Sequence, residues 1–306
     1  MKRKRIVASK LSSSVENLDL VPVRFGCIRL DLGTTEGQAN IYTRGKPMLK
    51  ISSPVKPFGV SAVAIAILAS TLVLFGSAPS PGDTNDDAVV AESLAAMLRA
   101  GRTVVSRHQT EINDPAVGDK GLTGAKMLAE AVQVYRDNTK TDPNSIDPST
   151  RHGRLLHWQM ESIAEVVDAN QDTINKKGVA FKGFIPSAFG RLVNEAFGRK
   201  ATTEAEMKVT APPELIRNIK ARPDAWELQV ISEKFLQPTW TKGKDFSAVV
   251  ENKGRMAFRM AVPEYYAASC LSCHGGPKGD IDVTGYPKEG RSEGDLGGVI
   301  SITLFR

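Results

Sequence analysis

The chain has few of the residues that usually mark a function. It holds only 3 cysteines and 4 histidines in 306 residues, and aromatics make up 6%. It has no internal repeat and no low-complexity stretch, so solenoid and fibrous classes are excluded. Strand–helix alternation with crossover spacing is missing, which argues against a parallel sheet. A basic folded surface is missing too. The net charge is +6, but residues 1–58 hold 11 Lys/Arg against 4 Asp/Glu, and residues 79–306 hold 29 against 30. The basicity therefore belongs to the leader, and a near-neutral remainder lacks the field that would steer it onto nucleic acid.

The chain has one long apolar run. Residues 59–78, GVSAVAIAILASTLVLFGSA, carry no charge. A run of about 20 such residues can cross a bilayer, and its layout also fits a secretory signal. Lys50 and Lys56 precede it on the side expected to remain cytoplasmic. The reading is a basic leader over 1–58, then a signal or single membrane anchor over 59–78, with everything later exported. Met48 opens a complete signal layout, so residues 1–47 are expected to be a gene-model extension with the true start at Met48. Residues 79–87 read as a polar, turn-rich linker, and the folded domain is expected from Ala88 to Arg306.

Within 88–306 the fold class reads as α+β. Val90, Leu94, Met97, Leu98, Gly101, Val104, Val105 and His108 form one stripe at three- and four-residue spacing, which predicts a helix over 88–109. Further helices are expected from Thr123, over about 148–170 and over 187–197. Strands are expected over 207–211 and 297–305. A hairpin over 246–250 and 255–262 should turn at Glu251-Asn252-Lys253-Gly254. Helices in front and antiparallel strands behind give an N-terminal helical layer against a sheet.

The chemistry-bearing motif is Cys270-Leu271-Ser272-Cys273-His274. Two thiols at this spacing can form thioethers to the two vinyl groups of one porphyrin, and the adjacent imidazole can then meet its iron. By average residue usage the pattern arises by chance in on the order of one chain in a thousand of this length. The alternatives are weaker. Zinc needs a fourth ligand and a better tetrahedron. A dithiol redox motif belongs in a strand–helix unit. A disulfide across two residues is strained. One motif implies one haem c, with Cys270 and Cys273 as attachment points and His274 as proximal iron ligand. Cys27 lies before the apolar run and is read as an ordinary thiol.

His108 is the leading candidate for a distal iron ligand, because its place on the apolar stripe points an imidazole inward, where it needs a partner. His152 and His157 rank below it. Arg255, Arg259 and Lys278 are either neutralisers of haem propionates or solvated surface charges.

Three stretches carry a family resemblance: Ile112-Asn113-Asp114 with Gly118-Asp119-Lys120-Gly121; Tyr265-Tyr266 leading into Cys270–Gly275; and Gly294-Asp295-Leu296-Gly297-Gly298 opening the last strand. Together they resemble a family of single-haem c-type domains first catalogued as a domain of unknown function. The resemblance spans residues 88–306 and implies a PAS-like fold, an antiparallel sheet flanked by helices with haem between them. It implies either an exported cytochrome or the sensing module of a larger receptor. With no kinase segment, coiled coil or second span in the sequence, the stand-alone periplasmic form is expected. It would work in electron transfer or in redox or gas sensing, with a redox or signalling partner encoded elsewhere. The other class is a haem enzyme such as a peroxidase, which needs an open iron face and an acid–base residue beside it.

Overall fold

Alternating and helical hydrophobic patterns settle into two layers in the computed structural model of the chain, which describes residues 81–306. The basic leader, the apolar run over 59–78 and the Met48 start lie outside the described residues. Among the described residues no helix is long and apolar enough to cross a membrane.

Eight α-helices are described: α1 (Pro81–Arg107), α2 (Gln109–Ile112), α3 (Gly124–Thr139), α4 (Arg151–Ala169), α5 (Gln171–Ile174), α6 (Pro186–Ala201), α7 (Ala225–Val230) and α8 (Leu271–His274). Four strands, β1 (Ala205–Thr210), β2 (Phe246–Asn252), β3 (Arg255–Tyr265) and β4 (Leu296–Phe305), form one antiparallel sheet in the order β1-β4-β3-β2. The α+β reading is thus correct.

Local chemistry sets the ends. Thr123 caps α3 by accepting from Lys126 N, and Thr150 caps α4 by accepting from Gly153 N. Pro186 opens α6, where its missing N–H costs nothing. Lys253 and Gly254 both have positive φ, 54° and 76°, the backbone a two-residue hairpin turn between β2 and β3 demands. Gly153 sits where α4 leaves its preceding loop, and a Cβ there would run into the Asp147 carbonyl. Gly153→Ala should therefore cost about 2 kcal/mol; a urea midpoint equal to that of the parent would show that the loop yields freely.

α1 begins at Pro81 rather than near Ala88. Its Pro, Gly and Asn content reads as turn, but Asp87 is buried and bonded to both Arg151 (2.9 Å) and Arg306 (2.7 Å), which ties this turn to α4 and to the end of β4. Tertiary pairing overrides the local signal.

The main core lies between the helices and one sheet face. Leu94, Met97, Leu98, Val104 and Val105 of α1 are fully buried with Leu155 and Ile163 of α4 and Phe189 and Phe197 of α6. They meet Phe258, Met260 and Val262 of β3 and Ile300, Ile302 and Leu304 of β4, alternate residues on one face. The opposite face carries a smaller cluster. There Val230, Ile231 and Phe235, from α7 and the single π turn that follows it, cover Ala261, Leu296 and Val299.

At the far end of β3, Glu264 receives Arg99 Nε at 2.6 Å and Arg102 Nη1 at 2.7 Å, and Arg99 also donates to the Pro263 carbonyl at 3.1 Å. Two arginines of α1 thereby pin the point from which the chain leaves the sheet toward Cys270.

Candidate cofactor site

The chain leaves β3 at an irregularity between Glu264 and Tyr265. A short 3-10 turn, Ala268–Cys270, leads directly into α8. On a helical turn, residues three and four apart share a face. This brings Cys270, Cys273 and His274 to one side. Both thiols are free and half-exposed, with no disulfide between them. Gly275 closes the turn, and a Cβ there would lie 2.6 Å from the Leu271 carbonyl oxygen. The following loop folds back on the turn. Gly290 N donates to the Gly275 carbonyl at 3.1 Å, and Arg291 N donates to that of His274 at 2.8 Å.

That return places Glu289 against the imidazole. His274 Nδ1 is 2.9 Å from Glu289 Oε2. A carboxylate can only accept, so Nδ1 carries a hydrogen, and in the neutral imidazole the lone pair then sits on Nε2. Among the described residues Nε2 has no hydrogen-bond partner. Tyr266 stacks on the ring, with centroids 4.9 Å apart and planes inclined by 28°, and its hydroxyl lies 3.4 Å from Nδ1. Gly297 makes room for this tyrosine: a Cβ there would sit 2.8 Å from the ring. Burial, joined by the Glu289 charge, pushes the Tyr266 phenol up to about 12, so it stays protonated at any physiological pH.

Arg217 organises the outer layer. Its Nε donates to Glu289 Oε1 at 2.8 Å and its Nη2 to Oε2 at 3.1 Å, a two-pronged grip on the carboxylate. Nη1 donates to Asp282 Oδ2 at 2.6 Å, and Nη2 also reaches the Cys273 carbonyl at 2.9 Å. Asp282 in turn accepts from Thr284 N at 2.7 Å, Thr284 Oγ1 at 2.6 Å and Tyr286 N at 3.2 Å. Burial alone would raise the Glu289 carboxyl, but hydrogen bonds from Arg217 and His274 outweigh it and hold the group below its ordinary value. Asp282 is held far lower: burial opposes ionisation, and bonds from Thr284 and Arg217 prevail.

The donor set fits a c-type haem. It offers two unpaired thiols on one face and an imidazole with one nitrogen fixed by a carboxylate and the other open, the arrangement typical of a metal-ligating histidine. Among the described residues no group of three or more His, Cys, Asp and Glu side chains is placed to hold a bare metal ion, which leaves the zinc reading without its ligands.

The structure gathers Cys270, Cys273 and His274 but places His108 in different company. His108 follows α1 at its C-terminal end, with Nδ1 2.8 Å from Glu111 and Nε2 2.8 Å from Glu130. Both ring nitrogens are occupied, so no lone pair is presented to a metal. Burial would lower its protonation range, but the hydrogen bonds to Glu130 and Glu111 outweigh it and raise that range. The stripe position did imply a partnered imidazole; the partners are carboxylates. A raised histidine contributes stability that is full below its unfolded value of about 6.5 and lost as pH rises through the folded value. His108→Gln should thus lower stability by about 1 kcal/mol at pH 5.5 and by less at pH 9. Equal urea midpoint differences at the two pH values would contradict the bridge.

His152 Nε2 lies 2.8 Å from Ser93 Oγ, and His157 lies half-buried on α4. Of the three cations considered for propionates, Arg259 is 4% exposed and bonded to Asp224 and Glu227 beneath Trp226, so it is neither a surface charge nor part of the site. Arg255 starts β3, about 33 Å along the strand from Tyr265 at 3.3 Å per residue, and packs over Phe305. Lys278 alone stays exposed beside the site, in the loop after Gly275. Sequence reasoning missed Arg217, Asp282, Glu289 and Tyr266. Only Tyr266 carried a signal, as part of the stretch leading into the motif.

Comparison with curated proteins and with solved structures gave no match. A family profile described as "Tll0287-like: Tll0287" matches residues 90–304, nearly the whole described domain. A haem-binding domain is consistent with that match. The α+β architecture and the motif turn both fall within the matched span, and the chain belongs to the Tll0287-like family.

Proposed function

We propose that this chain is an exported, single-haem c-type cytochrome that carries electrons or reports redox state. Cys270 and Cys273 would hold the haem by thioethers, and His274 Nε2 would ligate its iron. The observation that carries the reading is the pose of His274, whose Nδ1 is fixed by Glu289 while its Nε2 has no partner among the described residues, next in sequence to two free thiols. When bound, haem supplies a one-electron iron couple. The chain's own part is to orient the imidazole, cover one ring face with Tyr266 and fix the turn through Gly275 and the returning loop.

The helical layer over one face of a four-stranded antiparallel sheet supports reading 88–306 as a PAS-like domain. Residues 59–78 would export it and either be cleaved or remain as an anchor. The site would then lie in the periplasm, where covalent haem attachment takes place. Residues 1–47 would be an extension preceding the true start at Met48.

The enzyme reading needs an acid–base group over the free iron face. His108, the inward imidazole of the stripe, would be the group for that role, but both its nitrogens are bound to carboxylates. Electron transfer or redox sensing is therefore preferred. The test is a redox titration of the haem-loaded protein, with visible spectra of the reduced form under CO. A reversible one-electron titration is expected, and the CO spectra tell whether the sixth position is closed. A CO-shifted spectrum would favour gas binding, and peroxide turnover far above that of free haem would overturn the reading in favour of an enzyme.

A further inference from the structure

Arg217 and Glu289 do more than hold a loop. Glu289 meets His274 through one oxygen and Arg217 through both, and neither residue lies in the attachment motif. Arg217 comes from the segment just after a 3-10 turn at Pro213–Leu215, Glu289 from the loop after α8, and His274 from α8 itself. The guanidinium is spent on Glu289, Asp282 and the Cys273 carbonyl together, so it locks the carboxylate at a fixed angle to the turn that bears the imidazole. A carboxylate accepting from the outer nitrogen of an iron-ligating histidine gives the ring imidazolate character. The oxidised, more positive iron gains more from that than the reduced iron does.

We infer that Arg217 is a positioning residue: by gripping Glu289 in two places it aims the carboxylate at His274 Nδ1, and the pair thereby sets the iron's reduction potential low. This rests on the proposed ligation by His274. The bidentate fork fixes direction, and a single-point cation in its place would keep the charge but lose that direction.

Two variants separate charge from direction. Glu289→Gln keeps the shape and an accepting oxygen but removes the negative charge. Arg217→Lys keeps the positive charge but removes the fork. Each is exported with c-type maturation machinery, and covalent haem per folded protein is measured before the potential. Glu289→Gln is expected to shift the reduced-to-oxidised ratio at a fixed applied potential about tenfold toward the reduced form, a rise of about 59 mV for a one-electron couple. Arg217→Lys is expected to shift it the same way by a smaller factor, with the secondary-structure circular dichroism of the parent. A parent protein without covalent haem would defeat the haem reading itself. A haem-loaded parent whose two variants keep the parental potential would overturn this inference alone. Should Arg217→Lys fold poorly, the Glu289→Gln potential still decides whether the carboxylate tunes the iron.

Discussion

Replacing both Cys270 and Cys273 with serine is expected to abolish covalent haem while leaving the fold standing. The two thiols are half-exposed, make no disulfide and take no part in the core, so the exchange removes no buried packing. Surface changes of this kind usually move stability by less than about 0.5 kcal/mol. The chemical effect is total, because a serine hydroxyl does not add to a vinyl group under maturation conditions. Either single variant should keep one thioether and a haem that survives denaturing electrophoresis in reduced yield. Haem staining of the denatured protein reads all three variants, and circular dichroism checks the fold. Haem retained through denaturation in the double variant would mean that attachment runs through other residues.

Asp282→Ala should destabilise the chain by about 3 kcal/mol. The carboxylate is wholly shielded, accepts from three donors in the Thr284 and Tyr286 turn, and faces Arg217 at 2.6 Å. Removing one partner of a shielded pair leaves the other uncompensated, at about 3–5 kcal/mol. The low end applies because Glu289 still faces Arg217, and because Ile281 and Val283 on either side are exposed, so the cover is thin. The pH dependence has a definite sign. A carboxyl depressed in the fold gives stability that is present above its unfolded value of about 3.9 and lost only as pH falls through the much lower folded value. The gap between parent and Asp282→Asn should therefore stay open across neutral pH and close only in strong acid. A gap below about 1 kcal/mol at pH 7, read from denaturant unfolding, would show that the loop is not held by this pair.

Much of the fold was legible because it follows short-range periodicity. The Val90–Val105 stripe, the Thr123 cap and the β-branched run ending at Phe305 each reappear as a buried face or a helix end. The hairpin was legible from Glu251-Asn252-Lys253-Gly254, although Glu251 and Asn252 extend β2 and only Lys253 and Gly254 make the turn. α7 and its π turn were not. They are short: Asp224 and Glu227 make a capping box at the start of α7, and Glu227, buried at 1% exposure, also pairs with Lys208 and Arg259 on the sheet. Such a partnership joins residues 32 positions apart and leaves no periodic trace.

The site divides in the same way. Cys270, Cys273 and His274 lie within five residues of one another, the spacing that attachment to one porphyrin would require. Their support is not adjacent: Arg217 and Glu289 are 72 residues apart and meet only when the 276–290 loop folds back. His108 shows the limit of stripe reasoning. The stripe predicted an inward-facing imidazole with a partner but could not say whether iron or a carboxylate would be that partner. Two glutamates, one on α2 and one on α3, took both nitrogens.

The most direct test of haem attachment is the visible spectrum of the full chain, exported with c-type maturation machinery and read beside a His274→Ala variant, first native and reduced, then as the pyridine haemochrome after denaturation. The parent should give a c-type haemochrome at one haem per chain. The variant should lose the native reduced spectrum, whatever covalent haem remains. A parent that emerges from working maturation without haem would overturn haem attachment, and a variant whose native spectrum matches the parent would overturn ligation by His274.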